Sequence, residues 1–137
     1  MIAMLTGEVK LVDLQGRYIF LNVSRGISYL VYVVQEVLDR LANPEYKNSE
    51  LSLYVFTVYK ENDVKLYGFE ALEERNMFEQ LLSVKGVGPN TSMSILSQLT
   101  LEEIILALDD ADNGYKVFAS VSGIGETTAK NIMSKLG

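Results

Sequence analysis

Apolar and polar residues alternate along the first half of the chain with the two-residue period of β-strands. The first alternating segment predicts a half-buried strand. Its apolar or small residues are Leu5, Gly7, Val9 and Leu11, which alternate with Thr6, Glu8 and Lys10. Further elements are expected as strands at 19–23, 27–34, 51–59 and 64–69 and as a short helix at 35–41. Five strands with one helical insertion predict a small Greek-key barrel of the OB type.

The second half of the chain has the 3.6-residue period of helices. Thr100 and Glu103 are expected to form a capping box at a helix start, in which each side chain accepts a hydrogen bond from the backbone N–H of the other residue. On that helix the residues expected to face inward are Leu101, Ile104, Ile105 and Leu108. The predicted fold class is therefore α+β, with an OB-type barrel domain over residues 1–69 and an all-α domain over residues 70–137. The boundary falls near Gly68-Phe69-Glu70.

One motif occurs twice in the helical half. Residues 81–92 contain Gly86-Val87-Gly88, and residues 118–129 contain Gly123-Ile124-Gly125. Each copy is expected to be a helix end, a Gly-hydrophobic-Gly turn and a new helix start. The two turns lie 37 residues apart (123 minus 86). A single Gly-x-Gly turn is equally typical of an ordinary tight helix–helix connection, but the repeat indicates a pair of helix-hairpin-helix motifs.

The chemistry of this turn predicts a phosphate site. The first glycine can take the left-handed conformation that ends a helix, and the second lets another backbone approach closely. The apolar residue between them is expected to lie under the turn. The following helix then presents unpaired N–H groups and its positive dipole end, which attract an anion. Such turns hold nucleic-acid backbone without reading its sequence, so DNA binding is the predicted function.

Composition narrows the chemistry. The 137 residues contain no Cys and no His, which excludes disulfides, thiol nucleophiles, imidazole bases and the usual zinc sites. No metal or cofactor is predicted, because the acidic loop at residues 109–114 lacks the final glutamate of a calcium loop. No membrane span or signal peptide is evident, so a cytoplasmic location is expected. The net charge of −6 is unusual for a nucleic-acid binder. Either the acidic residues lie on the side away from the DNA, or backbone groups of the turns provide most of the binding.

Several residues together resemble a known family. The combination includes Met1-Ile2, Leu66-Tyr67-Gly68-Phe69, Glu74-Arg75, Gly86-Val87-Gly88-Pro89 and Gly123-Ile124-Gly125. In this order, over almost the whole chain, they resemble the RuvA family of bacterial proteins, which bind four-way (Holliday) DNA junctions and support branch migration. The resemblance implies a fourfold homotetramer, with or without a second tetramer that completes an octamer. It also implies junction DNA as ligand and a RuvB-type hexameric ATPase as partner.

The resemblance assigns roles to particular residues. The expected DNA-binding residues are Lys85, Gly86, Val87, Gly88, Asn90 and Thr91 in the first motif and Ser122, Gly123, Ile124, Gly125, Thr127, Thr128 and Lys130 in the second. The family also carries an acidic pin at the tip of its last barrel hairpin. Here that pin falls on Glu61-Asn62-Asp63, where Asn62 occupies the usual place of the second acid.

The chain departs from the family pattern in three ways. Asn90 stands where the family has a lysine, and Glu126-Thr127 stand where it has two. We therefore expect weaker junction binding with a flatter salt dependence. The family also continues into a small helical domain that engages the ATPase, whereas this sequence stops at Gly137. These 137 residues are expected to bind junctions without recruiting the motor.

Two other functions compete with junction binding. A helix-hairpin-helix glycosylase or lyase would carry a catalytic Asp some way beyond the second turn, and none is present there. The chain also has no Gly-x-x-x-x-Gly-Lys-Ser/Thr phosphate loop, so a non-catalytic role is expected. The second alternative is a protein-interaction module that kept the fold and lost most DNA affinity. The acidic net charge and the missing lysines favour it.

Overall fold

The computed structural model describes all 137 residues, Met1–Gly137. They form two compact units, Met1–Arg75 and Asn76–Gly137. The sequence placed the domain boundary slightly earlier, after Phe69.

The first unit is a closed five-stranded barrel. Its strands are β1 (Met4–Asp13), β2 (Tyr18–Ser24), β3 (Ile27–Tyr32), β4 (Glu50–Lys60) and β5 (Asp63–Phe69), joined in the order β1-β2-β3-β5-β4. All neighbours are antiparallel except β3 and β5, which are parallel. A helix, α1 (Gln35–Leu41), and a 3₁₀ turn (Pro44–Tyr46) connect β3 to β4. The predicted OB-type barrel with one helical insertion is confirmed.

Alternation of inward and outward residues builds the barrel core. The inward side chains of three strands are almost fully buried: Ile19, Leu21, Val31, Leu53 and Val55. The helix α1 adds Val37, Leu38 and Leu41 to this buried set. Because every strand is paired on both sides, the barrel leaves no open sheet edge.

The strand β1 does not keep the alternation that its sequence suggests. Val9 pairs with Leu21 and Leu11 pairs with Phe20, so Lys10 is an extra residue with no partner across the ladder. This β-bulge shifts the phase by one residue. Val9 is buried, but Leu11 is 40% exposed. The half-buried strand is present, but the alternation that the sequence suggested ends at the bulge and does not place Leu11 on the buried face.

The second unit is entirely helical. Its helices are α2 (Leu72–Leu82), which begins in the first unit, α3 (Pro89–Gln98), α4 (Leu101–Asp109), α5 (Gly114–Ala119) and α6 (Glu126–Leu136). Fully buried side chains at its centre are Phe78, Leu81, Ile95, Ile104, Phe118 and Ile132. No single helix is long and apolar enough to cross a membrane; α3 and α4 meet that test only as a pair, and they are bent by 100°.

The capping box that opens α4 is present as predicted. The Glu103 N–H donates to Thr100 Oγ1 at 3.1 Å, and the Thr100 N–H donates to Glu103 Oε1 at 2.9 Å. The inward face of this helix was only partly predicted. Ile104 and Ala107 are buried, whereas Ile105 is 48% exposed. At about 100° of rotation per residue, Ile105 lies beside the buried stripe that Ile104 and Ala107 form, and not on it.

The adjacent isoleucines of α4 provide a direct test of this packing. We expect Ile104→Ala to lower the free energy of unfolding by about 2–5 kcal/mol, because a fully buried side chain leaves a cavity. Ile105→Ala is expected to cost less than about 1 kcal/mol, since surface changes usually have small effects. Urea denaturation of both variants measures the difference. Equal losses would show that the face of α4 is assigned wrongly.

Candidate nucleic-acid interface

The two glycine turns have the same backbone conformation. Gly86 has φ of 90° and Gly123 has φ of 86°, both in the left-handed region that favours glycine. The apolar residue that follows each of them, Val87 or Ile124, is buried. Its N–H donates to the carbonyl of Val84 or Val121, each at 3.1 Å. The predicted left-handed helix end and buried apolar residue are therefore confirmed for both turns.

The second glycine of each turn is not required by the chain's own packing. Gly88 has φ of −99° and Gly125 has φ of −86°, which any residue can adopt. A Cβ atom added at either position would meet nothing within 4 Å. Both residues are exposed. The sequence predicted a close backbone approach at these glycines, and no other part of this chain makes one.

Helices α3 and α6 begin directly after these turns, and neither has a side-chain cap. Gly88 and Gly125 are the N-cap residues, and no side chain accepts a hydrogen bond from the first-turn amides. Pro89 occupies the first turn of α3, where its missing donor costs nothing. Helix α4 differs, because Thr100 caps it. The first-turn N–H groups of α3 and α6 consequently lack acceptors within their helices.

Short contacts fix the two turns relative to each other inside the helical unit. Asn131 of α6 donates from Nδ2 to the Lys85 carbonyl at 3.2 Å. A Cβ at Gly86 would lie 3.2 Å from Oγ1 of Thr128. The Ser122 N–H donates to Gln98 Oε1 at 3.1 Å. Of the predicted DNA-binding residues, Ser122 therefore already uses its amide within the chain, and Thr128 lies against the first turn.

The second turn carries an ion pair that was not predicted from the sequence. Glu126 Oε1 lies 2.7 Å from Lys130 Nζ, one helical turn away, and Lys130 Nζ also lies 5.1 Å from the centre of the Tyr115 ring. The hydrogen bond between them lowers the pKa of Glu126 and raises the pKa of Lys130. The spacing of four residues was the signal that could have revealed the pair. Lys130 thus faces a carboxylate in the first turn of its own helix.

The remaining predicted contacts are at the surface. Lys85, Asn90 and Thr127 are exposed, and Thr91 is half-buried. Lys85 belongs to no ion pair and lies next to Gly86. The first turn therefore combines uncapped amides with one unpaired cation, and α3 has no acid in its first turn. The two turns share a backbone conformation but differ in charge.

The predicted pin is the tip of the β4–β5 hairpin. Lys60 pairs with Asp63 across the ladder, so Glu61 and Asn62 form a two-residue turn. All three residues from Glu61 to Asp63 are exposed. Asp63 Oδ2 lies 4.0 Å from Lys65 Nζ, whereas Glu61 has no ion pair. Glu61 is therefore the one carboxylate of this tip that belongs to no ion pair.

The acidic loop after α4 has a local structural role. The Asp110 side chain accepts a hydrogen bond from the Asn113 N–H at 3.1 Å. No group of three or more carboxylates in the chain is arranged to hold a metal ion.

Comparison with known proteins agrees with this architecture. Residues 1–68 match the model of the RuvA N terminal domain, and residues 78–137 match the SAM-like helix-hairpin-helix tandem. Proteins named Holliday junction branch migration complex subunit RuvA are similar over 137 residues, or 99% of this chain. Those from Rickettsia felis, Rickettsia canadensis and Rickettsia akari are 38%, 37% and 36% identical.

The chain spans less than two thirds of the length of these relatives: 63%, 62% and 63% of the three proteins. Within that span the similarity runs through both the barrel and the tandem turns. The two domain matches and the named relatives agree. This chain belongs to the RuvA family.

Proposed function

We propose that this chain binds four-way (Holliday) DNA junctions through its two glycine turns. One observation carries the proposal: Gly88 and Gly125 are glycines that the chain's own conformation does not need. Each stands immediately before an uncapped helix N-terminus. A ligand backbone that approaches these amides closely would explain why no side chain is present there.

The chemistry of the turns suits a phosphate. The free amides of α3 and α6 are donors, and the helix dipoles favour negative charge at the same ends. Contacts of this kind position a protein on DNA without reading bases. They also account for DNA binding by a chain with a net charge of −6, because main-chain amides supply donors that need no basic side chain.

The tip of the β4–β5 hairpin has a complementary role in this proposal. The carboxylate of Glu61 would repel phosphates near the crossover and disfavour plain duplex. Asp63 contributes less, because Lys65 Nζ lies 4.0 Å from its carboxylate. We propose Glu61 as the principal pin residue of this chain, with Asn62 and Asp63 as secondary ones.

The proposed oligomer and its partner rest on the similarity to the named relatives. The relatives are named as subunits of a branch migration complex. We propose that this chain acts as a non-catalytic homotetramer or octamer in recombination and repair, in the cytoplasm, with a RuvB-type hexameric ATPase as the motor of the complex. Within these 137 residues, Glu126 is the only acid after the second turn, and Lys130 holds it in an ion pair.

The specific observation that favours the second candidate, an interaction module with little DNA affinity, is the Glu126–Lys130 pair. It places a negative charge at the second turn and occupies the nearest cation. A gel-shift comparison of a four-way junction with a matched duplex distinguishes the two functions. Preferential binding of the junction supports the first, and weak, equal binding of both DNAs supports the second.

The glycines themselves provide a sharper test. We expect Gly88→Ala and Gly125→Ala to change the free energy of unfolding by less than about 1 kcal/mol, because alanine is a poorer N-cap than glycine but lowers the entropy of the unfolded chain. Both variants should weaken junction binding. If each added methyl group displaces one phosphate contact, the affinity falls by about tenfold per turn, which corresponds to about 1.4 kcal/mol. Gel shifts measure the affinity, and urea denaturation measures the stability.

The first glycines are the matched control. Gly86→Ala and Gly123→Ala should instead destabilise the chain by about 1–2 kcal/mol each, because alanine is strained at positive φ. Full junction affinity in the double variant of Gly88 and Gly125 would contradict the proposed grip.

The negative charge of Glu126 at the second turn provides another test. Glu126→Lys removes the nearby negative charge and releases Lys130, so we expect tighter junction binding and a steeper salt dependence. The slope of log affinity against log salt should become more negative by about 0.9 for each additional phosphate that a lysine neutralises. Titrations at several salt concentrations measure it.

The control for this experiment is Glu102→Lys, which makes the same change of net charge in the first turn of the capped helix α4. If both variants increase affinity and slope equally, general charge and not the second turn governs binding.

The hairpin tip makes a separate prediction. Glu61→Gln should raise affinity for plain duplex and so reduce the preference for a junction, since one uncompensated negative charge is lost. Asp63→Asn should have a smaller effect, because Lys65 already lies beside that carboxylate. Competition gel shifts with labelled junction and unlabelled duplex compare the two. A larger effect of Asp63→Asn would reverse the assignment of the pin.

A further inference from the structure

A cavity of about 420 Å³ opens on the barrel unit, between β1 and the segment that joins α1 to β4. Its walls include Leu11, Leu14, Leu41 and Pro44. The volume lies within the range of about 300–1,000 Å³ that is common for ligand pockets. None of its residues belongs to the glycine turns or to the hairpin tip, so the proposed DNA-binding function leaves it unexplained.

Two large apolar side chains are exposed beside this cavity. Leu11 is 40% exposed and Leu14 is 51% exposed. Leu11 reaches the surface because the bulge at Lys10 turns it away from the barrel interior. Bulges commonly re-aim a side chain near functional sites. The local backbone thus places an apolar side chain at the cavity, where a regular strand would have buried it.

Hydrogen bonds hold the walls in place. The Val9 N–H donates to the Ser49 carbonyl and the Asn48 N–H donates to the Val9 carbonyl, both at 3.0 Å. Lys10 Nζ donates to Asn48 Oδ1 at 2.9 Å. The side chain of Asn43 caps the 3₁₀ turn by accepting from the Glu45 N–H. A preformed cavity of this kind binds a ligand without first being ordered, which lowers the cost of binding.

The charge of the lining sets the chemistry of the ligand. The lining residues include two lysines, Lys10 and Lys47, and no acid, although acidic residues outnumber basic ones in the chain by 18 to 12. Glu8 neutralises part of the Lys10 charge through an ion pair of 2.9 Å. Lys47 is exposed and belongs to no ion pair. The cavity therefore combines apolar walls with an uncompensated positive charge at its rim.

We propose that this cavity is a docking site for an acidic peptide segment of a partner protein, which inserts one large apolar side chain between Leu11, Leu14 and Leu41. The carboxylates of such a segment would face Lys47 and Lys10. A nucleic-acid ligand fits less well, because the walls offer apolar surface and no exposed aromatic ring for base stacking.

The test uses the full chain and labelled synthetic peptides. The first is an acidic peptide of aspartates around a central phenylalanine, the second replaces the phenylalanine with alanine, and the third replaces the aspartates with lysines. We expect fluorescence polarisation to show binding of the first peptide only. Amide chemical shifts of the ¹⁵N-labelled protein should change at residues 9–14 and 41–47 on its addition.

Variants connect the binding to the cavity. Lys47→Glu should weaken binding by about tenfold, because an attraction at the rim becomes a repulsion. Lys116→Glu makes the same charge change on an exposed residue of α5 and should have no effect. Ala42→Phe should fill the cavity and abolish binding while the fold is kept, since Ala42 is exposed in an ordinary helical conformation.

Three outcomes would overturn the proposal. One is the absence of binding by the phenylalanine peptide, and another is an equal loss with Lys47→Glu and Lys116→Glu. The third is a change of oligomeric state in Ala42→Phe, measured by sedimentation, which would mean that a second copy of the chain covers the cavity. Full junction binding by Lys47→Glu would keep this site distinct from the proposed DNA interface.

Discussion

The proposed DNA-binding turns depend on unsatisfied backbone donors. A helix leaves its first N–H groups without partners, and proteins usually supply a side-chain cap for them. This chain does so at α4, where Thr100 and Glu103 close the helix start. At α3 and α6 it does not, and a left-handed glycine with a buried Val or Ile holds each start in a fixed turn. The first-turn N–H groups are therefore capped by side chains at α4 but remain uncapped at α3 and α6.

The uncapped starts of α3 and α6 would also allow a chain with a net charge of −6 to bind DNA. Side-chain cations normally provide the electrostatic attraction of a DNA-binding protein, but this chain lacks most of them near its turns. Lys130 is paired with Glu126, and Lys85 remains the one unpaired cation at the first turn. A grip that depends on main-chain amides is less affected by such changes, because no substitution short of proline removes a backbone N–H. Binding and its salt dependence can therefore vary separately among such proteins.

Much of the architecture was predictable because its signals are local. Alternation indicated the five strands, the Thr100–Glu103 spacing indicated the start of α4, and the repeated glycines indicated both turns. What failed depended on contacts distant in sequence. Nothing local reveals that β1 contains an unpaired Lys10, since the bulge exists only relative to β2. The run Ile104-Ile105-Leu106 gives three apolar candidates for one buried stripe, and tertiary packing selects Ile104. The bond from Ser122 to Gln98 joins residues distant in the chain and has no local signal either.

The two units differ in what folding requires of their surface residues. In the helical unit, the positions tied to the proposed function are N-cap glycines at which a side chain would meet no steric obstacle, so packing alone does not require them. In the barrel, Leu11 is apolar at a position where the fold would tolerate a polar side chain. Single exposed apolar residues are common on protein surfaces, so Leu11 gains its weight from the cavity that it lines. The glycine turns and the cavity beside β1 are therefore the two separate places that we propose as binding sites for other molecules.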